Sequence, residues 1–269
     1  MFNKVEDMEE SLHWRSSKRN FKRMGKNTQE VVNMSKSEIA KRYILFIMSL
    51  FFAALGVAFT KHGELGVSPV SSVANVMSYK FPSLSLGTWL IIWNCILIVG
   101  QILILRRKFK FIQLLQFPLS FVFGWFTDFG MWLMSFIPVN SYSMRIIMVL
   151  IGIIILGFGI SLSVIADVIM NSGEAFVKAV SDTLNKDFGN VKIAFDVFYV
   201  IISIVLSLLF FDFTVVGTRE GTIISALFTG IVVKFFCGNL RDPINDVLFQ
   251  KSTVKTMLDE LEEMNQDGE

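Results

Sequence analysis

Long apolar runs alternate with short polar breaks along this chain. Six runs read as membrane spans: residues 43–60, 87–105, 111–137, 146–170, 191–213 and 222–238. Each approaches the 20 or so mostly apolar residues that a crossing helix needs. After the first and fourth runs comes a stretch too short to cross. Val70, Val73, Ala74, Met77 and Phe81 share one helical face, and so do Phe176, Val177, Val180 and Leu184. Each stretch opens on a helix-start signal. Ser68 is a good N-cap with Pro69 at the first helical position, and Ser172 can cap the second stretch, with Glu174 in its first turn. Two readings stay open for both: a helix lying flat at the membrane interface, or a half-helix that re-enters the membrane.

The two halves of this pattern resemble copies. Gly56 leads through Gly66-Val67-Ser68-Pro69 to Gly87 and then Asn94; Gly159 leads through Asn171-Ser172-Gly173-Glu174 to Gly189 and then Asp196. A third element follows in each, marked by Ser120/Gly124 and Ala226/Gly230, small pairs whose default role is close helix packing. Three spans is an odd number, so the second copy inserts upside down. The expected fold is all-α: a polytopic membrane protein of six transmembrane helices, arranged as two inverted three-span repeats, each with a short half-helix after its first span. The expected divisions are a charged cytoplasmic arm (1–42), the first repeat (43–140), the second repeat (141–241) and a cytoplasmic, amphipathic, acidic tail (242–269).

Composition supports a membrane protein. The chain is 53% hydrophobic with mean hydropathy +0.57, and its 27 Phe residues suit lipid-facing and interfacial surfaces. Basic residues cluster at span ends: Lys36, Lys41 and Arg42, then Arg106, Arg107, Lys108 and Lys110, then Lys234 and Arg241. This pattern predicts both termini in the cytoplasm. The net charge of +2 carries no nucleic-acid signal. Residues 1–35 are charged and lack the apolar core of a signal peptide. Cys95 and Cys237 sit at different levels and read as small apolar packers. His13 and His62 are far apart, so no metal-ligand spacing exists.

Polar groups within spans cost roughly 2.5–3.5 kcal/mol each at the helix centre on insertion scales, so they need partners or a task. The second half is rich in them: Asp167, Glu174, Lys178, Lys192, Asp196, Arg219 and Glu220. Lys192 and Asp196 are one turn apart and can pair. The first half is mostly neutral at matching places, with Ser68, Asn94 and Gln116, and Asp128 deeper in the third span. Together these eleven residues are the candidates for a substrate site or proton path; interfacial charges and structural hydrogen bonds are the alternative. No phosphate loop, dinucleotide fingerprint, nucleophile elbow or zinc motif occurs, so neither enzyme chemistry nor a cofactor is expected.

The segments Gly66-Val67-Ser68-Pro69-Val70-Ser71-Ser72, Gly173-Glu174-Ala175-Phe176-Val177-Lys178-Ala179, Phe188 to Asp196 and Arg219-Glu220-Gly221-Thr222 resemble the YczE/YyaS/YitT group of bacterial integral membrane proteins, nearest its YczE-like branch. The resemblance covers roughly residues 42–241. It implies a multi-pass protein of the bacterial plasma membrane and supplies no reaction. The expected function is a small-solute transporter or permease. The alternative is a non-transporting membrane scaffold or regulator that acts through its cytoplasmic tails. Expected partners are the lipid bilayer and a small-molecule substrate, not nucleic acid. A homodimer is compatible with the tail, whose two or so heptads are too few to specify one.

Overall fold

A computed structural model describes the backbone of residues 36–186 and 188–266, and the side chains of 38–186 and 190–246. Residues 1–35, most of the charged arm, lie outside it, as do the side chains of residues 247–269 in the tail. Residues 40–269 form one unit and residues 1–39 another.

The described chain is all-α. Eight α-helices follow in order: α1 (Lys36–His62), α2 (Pro69–Lys80), α3 (Leu86–Leu105), α4 (Gln116–Met134), α5 (Tyr142–Ala166), α6 (Ser172–Leu184), α7 (Phe188–Phe210) and α8 (Glu220–Gln266), with two 3₁₀ turns between α3 and α4. Five of them, over Glu38–His62, Leu86–Lys108, Tyr142–Ala166, Asn190–Phe210 and Glu220–Asp246, are long and apolar enough to cross a membrane. The third expected run is not among the five. Phe111–Leu115 forms a 3₁₀ turn, and the 19-residue α4 that follows is diluted by Trp125, Trp132, Gly124, Gly130, Thr127 and Asp128.

Several boundaries differ from the sequence reading. Helix α1 starts before Tyr43 because Arg42 is only 7% exposed and Nη1 donates to Ala166 O at 2.9 Å, so this basic residue is carried inside rather than beside the span. Helix α5 stops at Ala166 because Asp167 turns left-handed (φ 48°). Helix α8 runs without interruption through Pro243 into the tail, so no structural break separates 241 from 242.

α1 and α5 cross at backbone contact. A Cβ added to Gly56 would lie 2.5 Å from Leu156 N, and one added to Gly159 would lie 2.4 Å from Ala53 N. Gly152 faces Thr60, and Gly63 faces Val149 and the Arg145 carbonyl. As numbers rise along α1 they fall along α5, so the two helices run antiparallel. Gly130 of α4 meets Ala58 and Leu55 of α1. The short helices are exchanged: α2 packs on α7, and α6 packs on α3. Helix α2 also packs on α3 and α8, and its first two turns bury polar and apolar residues alike, Ser71, Ser72, Val73, Ala74, Asn75 and Val76. That is an enclosed helix rather than an amphipathic one.

The small pairs divide. Gly124 meets Ile91 and the Gly87 carbonyl and is packed as expected, whereas Gly230 has nothing within 4 Å and Ala226 is exposed. The second pair is therefore not a helix contact within the described residues.

Candidate functional site

The two polar breaks match at their start and finish but not between: Gly66 is at φ 113° in the first, and its counterpart Ile169 has no positive φ in the second. Each first-span helix ends at an acidic residue in the left-handed region, Glu64 (φ 57°) and Asp167 (φ 48°). Each short helix then starts from an N-cap of nearly identical conformation: Ser68 (φ −57°, ψ 149°) and Asn171 (φ −57°, ψ 148°). Asn171, not Ser172, is the second cap; its side chain accepts from Ser172 N at 3.0 Å. Ser68 makes no backbone cap and donates instead to Ser71 Oγ at 3.1 Å.

The breaks differ in what covers them. The first is sealed by the start of α8. Gly221 N donates to Leu65 O at 2.8 Å, and Gly66 (φ 113°) is so close to Thr222 Oγ1 that a Cβ there would stand 2.3 Å from it. Around this seal, Lys61 Nζ donates to Asn75 Oδ1 at 2.5 Å and to Ser78 Oγ at 3.3 Å, and sits 3.3 Å from the centre of the Tyr79 ring. Asn75 Nδ2 donates to Gly217 O at 2.5 Å. Arg145 pairs with Glu64 at 2.7 Å. Burial, and next the charge of Glu64, raise the Tyr79 phenol above its ordinary pKa.

The second break borders two cavities. One, of about 200 Å³, is lined by Leu50 and Ala53 of α1, Ile160 of α5, Asp167, Asn171 and Glu174. Glu174 Oε2 is sealed from solvent and meets no hydrogen-bond donor. The other, of about 220 Å³, lies between Lys110, Gln113, Gln116, Lys178 and Asp182 and shares Val168–Met170 with the first as a wall.

One face of α7 carries a row of polar groups. Lys192, Asp196, Tyr199, Ser203 and Ser207 recur at helical spacing. Lys192 Nζ bonds Asp196 Oδ1 at 2.6 Å. Tyr199 is 1% exposed with an unpartnered hydroxyl, and its ring lies 6.1 Å from Trp93, whose Nε1 is also buried and unpartnered. Thr218 Oγ1 donates to Ser203 Oγ at 2.9 Å, beside the Gly217 carbonyl that Asn75 holds.

The eleven candidates therefore do not form one cluster. Asp167 and Glu174 share the first cavity. Gln116 lines the second, where it and Gln101 exchange amide bonds at 3.0 and 3.3 Å while Gln101 also reaches Ser172 O. Lys178 pairs with Asp182 on an exposed face, and Arg219 with Glu220 at the start of α8. Asn94 is 4% exposed within α3. Ser68 stays at the first break.

Asp128 stands apart: it accepts from Gly87 N at 2.8 Å and from Ser85 Oγ at 2.5 Å, capping α3 from across the hairpin. Asp128→Ala is expected to lower stability by about 1–2 kcal/mol, as loss of a helix cap does, with Asp128→Asn losing less. Melting temperatures of the detergent-solubilised variants would check this; an unchanged Asp128→Ala melt would contradict it.

Comparison with known proteins places the chain among membrane proteins. The pattern of a family of unknown function, DUF6198, matches residues 40–238. The chain belongs to that family. It is also similar to a Bacillus subtilis (strain 168) protein described as the uncharacterized membrane protein YczE, with 25% identity over 202 residues that cover 74% of this chain and 87% of the relative. No solved structure matches. Together with the five apolar spans, this makes the chain a multi-pass membrane protein of the DUF6198 family, set in a lipid bilayer.

Proposed function

We propose that this DUF6198 member is a small-solute transporter or permease of the bacterial plasma membrane, built from two inverted three-span halves. The antiparallel crossing of α1 and α5 carries the reading. For α5 to run against α1, the chain must cross an odd number of times before α5 begins. Helices α1 and α3 supply two crossings; α2, at 12 residues, is too short, which leaves α4 as the third. Its 19 residues reach about 28 Å at 1.5 Å per residue, close to the hydrocarbon thickness. Exchange of the short helices between halves, and their matched caps, support the same relation. Enclosed, non-helical breaks within such halves are where transporters place substrates.

The sealed first break and the open second break fit a one-side-open state. The basic residues Arg106, Arg107, Lys108 and Lys110 flank the open end, which the positive-inside rule assigns to the cytoplasm, together with both termini. Asp196 and the α7 face would carry substrate or a coupling proton between the two ends. A thermal-shift screen of metabolites on the purified protein tests this. A compound at about 100 times its Kd should stabilise the fold by about 2.7 kcal/mol. That compound should then exchange across proteoliposomes, and Asp196→Asn should abolish exchange while keeping the parent melting temperature. A stabilising compound that never crosses the bilayer would overturn transport.

A further inference from the structure

The two breaks share a left-handed acidic residue and a matched N-cap, and they differ in their fillings. At the first, Gly221 and Thr222 of α8 occupy the space against Leu65 and Gly66. At the second lies the cavity of about 200 Å³ between α1, α5 and the start of α6. Its walls are largely aliphatic: Leu50, Ala53, Ile160 and Ile169 among them. Among the described residues, its only charged lining groups are two carboxylates, Asp167 and Glu174. Asp167 is exposed at the edge, whereas Glu174 Oε2 is sealed and has no donor. Arg42 is engaged with the Ala166 carbonyl and does not line the cavity, and Lys178, one turn after Glu174, borders the neighbouring cavity and pairs with Asp182.

A sealed carboxylate oxygen is costly unless a donor or a cation meets it. A dry aliphatic cavity of about 150 Å³ is enough to hold a benzene ring. An anion would meet two like charges here, and a large polar solute would meet aliphatic walls. We propose that this cavity binds a small organic cation: an ammonium group held by Glu174 and Asp167, carried on a single ring or short branched chain that packs against Leu50, Ala53 and Ile160. The ammonium neutralises the sealed oxygen, and the apolar body fills the aliphatic part of the cavity. The ligand reaches the site either as a free amine or as the headgroup of an aminolipid. The inference concerns binding alone, so it stands or falls independently of whether the protein transports.

Phenethylamine is a suitable probe, with phenethyl alcohol and hydrocinnamate as its neutral and anionic analogues. Titration calorimetry would use the full chain in phosphatidylglycerol nanodiscs. Saturable binding of phenethylamine is expected, with the alcohol at least about 10-fold weaker and hydrocinnamate silent. Glu174→Gln keeps the shape of the side chain and should weaken the amine at least about 10-fold, with Asp167→Asn, which tolerates the left-handed backbone, weakening it less. Equal binding of amine and alcohol, or undiminished amine binding by Glu174→Gln, would overturn the proposal, since either outcome describes plain apolar partition. In a second arm, phosphatidylethanolamine in the nanodiscs should compete with the probe if the headgroup is the source; unchanged affinity assigns the site to a free amine.

Discussion

Gly159→Leu is expected to leave no folded protein in the membrane, while Gly230→Leu folds as the parent does. At Gly159 the nearest atoms to an added Cβ are Ala53 N at 2.4 Å, Ala53 Cα at 2.8 Å and Ser49 O at 2.9 Å. All are backbone, so no rotamer change relieves the clash, and α1 and α5 must separate. Gly56 and Gly152 approach the partner helix just as closely, so separation at one point disturbs the whole crossing. Overpacking a core that can yield typically costs about 1–3 kcal/mol. Here the expected loss exceeds about 4 kcal/mol, a large part of the 5–15 kcal/mol that holds a domain folded. Gly159→Ala should be milder and still clearly destabilising. At Gly230 nothing lies within 4 Å. Size-exclusion profiles and melting temperatures would check the pair, and a monodisperse Gly159→Leu with the parent melting temperature would refute the crossing described above.

The second large effect is expected at Asn75, which is 1% exposed. Its amide accepts from Lys61 and donates to the Gly217 carbonyl, tying α1, α2 and the loop before α8 together. Asn75→Leu removes both bonds. The Gly217 carbonyl loses its donor, and the half-buried ammonium keeps only Ser78 Oγ and the Tyr79 ring. Stranded polar groups cost about 1–3 kcal/mol each, and more when one is charged, so the single variant should lose about 3–5 kcal/mol. Lys61→Met alone should lose less. The double variant should recover about 1.5–3 kcal/mol relative to the sum of the singles, because the charge no longer seeks an acceptor. Strict additivity in unfolding experiments would show that the two side chains do not act as a unit.

Much of the fold was legible because apolar runs are a strong, local signal. Five of the six expected runs became long apolar helices, most with ends displaced by a few residues, while α8 runs on to Gln266. The displacements have local causes that length and hydropathy do not encode. Arg42 is drawn inside by a carbonyl 124 positions away, and Asp167 ends α5 by turning left-handed. Pro243, an ordinary helix breaker, is accommodated within α8, so the helix itself does not mark where the tail begins. At the candidate site, Asp167, Glu174 and the Lys192–Asp196 pair were visible as charges in apolar surroundings. The seal of the first break was not. Lys61 looks like any basic residue at a span end, and Asn75 like the polar side of an amphipathic helix. What gives each a role is a partner such as Gly217, 142 positions from Asn75. Tyr199 carried no signal either, since an aromatic residue in an apolar run reads as packing.

Asp128 has a consequence for how the chain is built into lipid. In the six-span reading, α4 is the poorest candidate to enter hydrocarbon alone: it carries a carboxylate, two glycines and two tryptophans in 19 residues. An aspartate at a helix centre adds about 2.5–3.5 kcal/mol against insertion. Bonded to Ser85 and the Gly87 amide, the carboxylate enters with its acceptors already occupied, and the start of α3 enters capped. The two helices thus suit joint entry as a hairpin. During synthesis α3 emerges first, so a ribosome halted before α4 would leave the Gly87 N–H without its acceptor, with only Ser85 capping α3 through Thr88 N.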